Sequence, residues 1–155
     1  MSKHSELAMD IFKQGYNCSQ AVFAAFCDET GMTFEDAVKL SSSFGAGMGK
    51  LREVCGAVTG MFMAAGVLYG YADPLDDAAK AEHYALIQSL ACQFKEANKS
   101  IICRDLLGLD LEEQNPVPEA RTEHYYQERP CVELVGSAAE ILDNLIERKK
   151  EIFRI

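Results

Sequence analysis

From Val54 to Ala72 the chain runs nineteen residues, VCGAVTGMFMAAGVLYGYA, without a charge. No other segment limits the fold so tightly. Its length is close to the twenty or so apolar residues that span a bilayer. Yet four glycines, several alanines and a threonine make it only weakly hydrophobic. Gly56 and Gly60 are four apart, as are Gly66 and Gly70, a spacing that suits close helix contact. The segment therefore reads as a central helix, about residues 54–70, buried on all sides by other helices. Such a helix needs neighbours, and the rest of the chain supplies them.

Helical patterning runs from end to end. Leu7, Ala8, Ile11 and Phe12 form one apolar stripe that Gly15 ends. Asn17 can cap a second helix carrying Ala21, Val22, Ala25 and Phe26, which stops at Gly31. Thr33 and Asp36 have capping-box spacing for a third, running to about Ser42. FGAGMG reads as a tight turn into the central helix; without a preceding strand it fits neither phosphate-binding pattern. Asp73-Pro74 is an acidic cap followed by proline at the first helical position. The helix after it places Ala79, Leu86, Leu90, Phe94 and Ala97 on one face. SIICRDLLG gives a short helix ending at Gly108, and a long loop with room for a turn of helix follows to Pro130. Pro130 opens a last helix with Leu134, Ala138, Ile141, Leu142, Leu145 and Ile146 turned inward. The expectation is an all-α multi-helix bundle, a single domain over residues 1–155, built around the glycine-rich helix.

A net charge of −9 sets an acidic surface that repels phosphate backbones, so nucleic acid is not an expected partner. MSKHSELAMDIFKQG carries charges throughout and lacks the apolar run of a secretory signal, which points to the cytoplasm and away from a membrane. That compartment keeps thiols reduced. The six cysteines are therefore expected to be buried, metal-binding or redox-active, not three permanent disulfides.

Four of the six fall at expected helix starts. Cys18 follows the Asn17 cap, Cys55 opens the central helix, Cys103 lies three after Ser100, and Cys131 follows Pro130. Helix N-termini offer free N–H groups and positive potential, which favour a thiolate. Cys27 and Cys92 fall inside the expected helices and read as small apolar filler. There is no CxxC, so compact zinc and thioredoxin signatures are absent. Any one of the four, taken alone, is more often structural than functional; convergence in space decides.

The segments GYNCSQAV, CGAVTGMFMAAG, CRDLLG and RPCVELV, in that order, resemble the C_GCAxxG_C_C family, whose redox activity is inferred from recurring cysteines. The resemblance runs from about residue 5 to 147. It places the family's cysteines on Cys18, Cys55, Cys103 and Cys131, although the middle motif here reads Cys55-Gly56-Ala57. It implies redox or metal chemistry, an iron–sulfur role included.

Three functions stay open at this level. In the first, two of the four cysteines form a reversible disulfide, Cys18 and Cys55 being the expected pair, with a redox protein or a small thiol or disulfide as partner. In the second, up to four thiolates hold zinc or an iron–sulfur cluster. In the third, the cysteines only pack and the chain is a structural or interaction protein. A guanidinium from Arg52 or Arg104 could assist a thiolate, and Tyr125-Tyr126 could cover the site. His83 reads as a satisfied core histidine, and His4 and His124 receive no role. Met48, Met61 and Met63 read as core filler. The glycine face of the central helix could also serve a homodimer.

Overall fold

A computed structural model describes residues 1–109 and 115–153. Its helices are α1 (Lys3–Lys13), α2 (Cys18–Ala25), α3 (Cys27–Thr30), α4 (Phe34–Ser41), α5 (Gly45–Met48), α6 (Gly56–Tyr69), α7 (Asp77–Asn98), α8 (Cys103–Leu107), α9 (Glu123–Glu128) and α10 (Cys131–Phe153). Among the described residues there is no strand; one antiparallel bridge joins Val54 to Ile102. The fold is all-α. Among the described residues no helix is long and apolar enough to cross a membrane.

The starts follow from capping chemistry. Asn17 accepts from Gln20 N–H while the Gln20 side chain accepts from Asn17 N–H, a complete capping box. Thr33 caps α4 through the Asp36 N–H. For α7 the cap is Asp76, not Asp73: Asp73 and Pro74 form a turn first, and Asp73 accepts from Leu75 N–H. The second helix also ends earlier than its pattern suggests. Phe26 leaves helical geometry, splitting the segment into α2 and α3, so Cys27 begins a helix and is half-buried. Cys92 lies within α7 but is exposed. Cys27 packs against the core from its edge, whereas Cys92 is not core filler. Only Leu90 and Phe94 of α7 are fully buried; Leu86 is half-buried and Ala97 exposed.

Helices α1 and α10 pack along each other, joining the two ends of the chain. Helix α2 lies between α1, α4, α6 and α10, and seven of its eight residues are buried. Helix α6 is less enclosed than its lack of charge suggests. Its first half is buried, but Val67 is 49% exposed and Gly66 faces open space. Of the two glycine pairs, only Gly56 and Gly60 make a close contact, against α2; Gly70 instead terminates the helix. Phe12, Phe23, Phe26, Met61 and Phe94 fill the centre.

The segment between α4 and α6 is not a simple turn. Ala46, Gly47, Met48, Gly49 and Lys50 all have positive φ, and Arg52 follows. Left-handed backbone costs a residue with a Cβ roughly 1–2 kcal/mol, so Ala46, Met48, Lys50 and Arg52 hold strain. Tertiary hydrogen bonds hold the path in place: Glu53 N–H donates to Gly47 O (2.9 Å), Cys55 N–H to Ile101 O (2.8 Å) and Cys103 N–H to Glu53 O (2.6 Å).

Candidate functional site

Each of the four cysteines singled out by position stands at a helix start. Cys18 is the first residue of α2, Cys55 the N-cap residue of α6, and Cys103 and Cys131 the first residues of α8 and α10. The cap of α8 is Ile102; Ser100 accepts from the Ile102 N–H one step earlier. All four line one cavity of about 60 Å³. They arrive by separate routes. The 52–55 and 101–104 segments pair and bring Cys55 beside Cys103. The capping box orients Cys18, and the packing of α10 delivers Cys131.

Two glycines make this convergence possible. A Cβ on Gly56 would meet the Cys18 Cβ at 3.0 Å. A Cβ on Gly47 would stand 2.6 Å from the Arg52 Cα and 2.7 Å from the Cys103 Cβ, and its φ of +73° is left-handed. The strained segment thus presses its backbone onto the cysteines, as strained segments at functional sites often do.

Burial, not helix position, dominates Cys55 and Cys103. Cys55 is pushed up to about 12 by burial, although the N–H groups of Ala57 and Val58 oppose the shift. Burial also raises Cys103, despite the Arg52 guanidinium. Cys18 rises well above the ordinary thiol range, first because it donates its hydrogen to Cys131 and then because it is buried. The expectation that all four starts favour thiolate therefore fails at Cys18, Cys55 and Cys103. An α-helix terminus contributes a fraction of a charge, and desolvation outweighs it.

Cys131 is the exception, held down to about 7. The hydrogen bond from Cys18 contributes most; burial opposes it. The Tyr125 hydroxyl, Arg129 and Arg121 contribute the rest. Tyr125 therefore belongs to the site, donating to the sulfur, and its own pKa is raised by burial and by the neighbouring thiols. Arg121 donates to the carbonyls of Phe12 and Tyr16 and stacks 4.2 Å over the Phe12 ring. Arg52, 8% exposed, directs one nitrogen at Cys103 Sγ (3.7 Å) and another at Glu119 (3.2 Å). It serves Cys103 across the bridge, not its chain neighbour Cys55. Arg104 instead pairs with Glu53 (3.2 Å) outside the cavity. Sequence reasoning missed Arg121 and Arg129, which come from the loop before α9 and from the residue after it.

The histidines also differ from expectation. His83 is half-buried, and its Nδ1 lacks a hydrogen-bond partner among the described residues. His4 is buried, stacked on Phe26, with Asp143 at Nδ1 (2.6 Å) and Asp28 at Nε2 (2.8 Å). It joins α1, α3 and α10 far from any role in the cysteine cavity.

The donor set suits soft metals, but its spacing does not suit one zinc ion. Sulfurs sharing a zinc at about 2.3 Å lie within about 4.6 Å of each other. Among the described residues the one group of three or more ligand atoms all within 4.8 Å is His4, Asp28 and Glu29, so no three cysteine sulfurs meet that condition.

A protein-family model described as "Putative redox-active protein (C_GCAxxG_C_C)" matches residues 16–145. No curated protein and no solved structure matches the chain.

Proposed function

The chain belongs to the C_GCAxxG_C_C family, and we propose that it is a thiol–disulfide redox protein in which Cys131 attacks and Cys18 resolves. The support for this is the placement of Cys18 and Cys131 on one cavity with Arg121 and Tyr125, a setting that holds Cys131 below the ordinary thiol range while Cys18 keeps its proton. A nucleophilic thiol reacts best when its pKa lies near ambient pH. Cys55, expected from chain order to be the partner of Cys18, is held neutral by burial.

The chemistry balances as two exchanges. The Cys131 thiolate attacks one sulfur of a partner disulfide, forms a mixed disulfide and expels the other sulfur as a thiolate, which takes a proton from water. Cys18 then attacks the Cys131 sulfur. Its proton passes to the second leaving thiolate, and a Cys18–Cys131 disulfide remains. The partner disulfide gains two electrons and the protein dithiol loses them. A dithiol donor restores the reduced pair. Arg121, Arg129 and Tyr125 stabilise the thiolate before attack.

The test is trapping. With a small aromatic disulfide, Cys131→Ser should lose rapid release of the reporter thiol, while Cys18→Ser should stop at a mixed disulfide on Cys131, visible by mass spectrometry. Equal reactivity of Cys131→Ser and the parent protein would sink the assignment.

A second reading has one observation in its favour: four thiols and two guanidinium groups border one cavity. Cys18, Cys55, Cys103 and Cys131 would be the ligands of an iron–sulfur cluster, which would supply one-electron transfer. Iron content and visible absorption of anaerobically purified protein distinguish the two readings.

A further inference from the structure

A second cavity, about 290 Å³, adjoins the cysteine cavity and shares Asn17, Ala46, Arg52, Leu107, Arg121 and Tyr125 with it. Four cations line it, Lys50, Arg52, Arg121 and Arg129, in a protein whose net charge is −9. Among the described residues its one carboxylate is Glu119, which accepts from Arg129 (2.8 and 3.0 Å) and from Arg52 (3.2 Å). Lys50 donates to the Val117 carbonyl. Residues 116–119 thus form a strap pinned across the cations, with the Glu119 carboxylate seated among them. Arg121 has no carboxylate partner among the described residues. Arg129 Nη1 is buried with no partner there either. An unpaired buried guanidinium donor costs free energy that a ligand oxygen can recover.

We infer that this cavity is the subsite for a carboxylate-bearing low-molecular-weight disulfide, whose carboxylate takes the place of Glu119 and thereby sets its sulfurs beside Cys131. The inference rests on the thiol–disulfide reading and adds the substrate class. Several observations fit together. The volume matches a small molecule rather than a folded partner. The planar guanidinium forks suit a carboxylate. The shared lining puts the anion within one molecule's length of the reactive sulfur. Glu119 acts as an internal competitor: it occupies the cations when substrate is absent and swings out with the strap when substrate binds.

The experiment measures second-order rate constants for three disulfides on the reduced full-length protein: dithiobis(nitrobenzoate), which is anionic, dithiodipyridine, which is neutral, and cystamine, which is cationic. Each variant's anionic rate is divided by its neutral rate, so a change in Cys131 reactivity cancels. Glu119→Gln should raise that ratio about tenfold, and Lys50→Gln and Arg129→Gln should each lower it several-fold, as loss of one charge-assisted contact requires. Both effects should shrink in high salt. Lys50→Gln guards against misfolding at Arg129, since its side chain reaches only the strap. If Cys131 reacts with none of the three reagents, the redox reading itself falls. If it reacts with all three and the ratio is the same in every variant, the redox reading stands and the carboxylate subsite is refuted.

Discussion

Replacing Cys18 with alanine tests the geometry at its most sensitive point. The Cys18 hydrogen bond is the largest influence holding Cys131 at about 7. A hydrogen bond to a charged acceptor contributes about 1.5–3 kcal/mol, and one pKa unit corresponds to about 1.4 kcal/mol. Removing the donor should therefore raise Cys131 by about one to two units. The effect on rate at pH 7 is smaller than the loss of thiolate, because the more basic sulfur is the better nucleophile, with a Brønsted slope of about 0.4–0.5. A few-fold slowing at pH 7 and a several-fold acceleration at alkaline pH are expected. The assay is alkylation by iodoacetamide across pH, with Cys131 followed by peptide mass spectrometry. Its midpoint is the decisive quantity. Cys18→Ser retains a hydroxyl donor and should shift the midpoint less. A midpoint that stays near 7 in Cys18→Ala would refute the hydrogen-bond account and leave Arg121, Arg129 and Tyr125 as the whole cause.

Three other outcomes follow from the same geometry. Gly47→Ala should destabilise by about 3 kcal/mol or more, combining left-handed strain with a backbone clash, whereas Gly66→Ala, which meets nothing within 4 Å, should stabilise α6 by about 0.5–1 kcal/mol; urea midpoints of the two variants check both signs. Folding stability should fall as pH rises beyond the unfolded thiol value of about 8.5, because Cys18, Cys55 and Cys103 stay protonated in the fold while the unfolded chain ionises. Cys131 acts oppositely: its lowered value adds stability that is complete above about 8.5 and is lost as pH falls through about 7; urea titrations of Cys55→Ala and Cys131→Ala against the parent separate the two contributions. His4→Ala should cost about 3 kcal/mol near neutral pH by leaving Asp143 and Asp28 without their shared partner. Because the Asp28 carboxyl is held low, largely by His4 against its own burial, that cost should shrink once acid protonates it.

The helices were legible because their signals are local. Asn17, Thr33 and Gly108 sit where a cap must sit, and the stripe on α10 needs only its own period. The cysteine positions were legible for the same reason. Their ionisation was not. Helix starts are read from neighbours in sequence, whereas burial and the Cys18–Cys131 contact depend on helices far apart in the chain. Arg52 was noticed beside the wrong cysteine, since sequence adjacency hid the 52–55 to 101–104 pairing. The left-handed run from Ala46 to Lys50 left no residue signal beyond its glycines, because tertiary hydrogen bonds impose it on alanine, methionine and lysine. Splitting of the second helix at Phe26 was hidden likewise, as Phe26 fits both a helix interior and a packed corner.

The packing of α2 against α10 carries a consequence for the lifetime of the chain. Cys18 and Cys131 lie near opposite ends of the sequence, so a disulfide between them would close a loop of roughly 110 residues, worth about 4.7 kcal/mol in restricted unfolded-chain entropy. Electron transfer and resistance to proteases would then move together. With that disulfide the oxidised chain would open rarely and survive; the reduced chain would open more often and be cut sooner when opening and closing are fast relative to cleavage. A cell would clear this protein at a rate set by how much reductant reaches it.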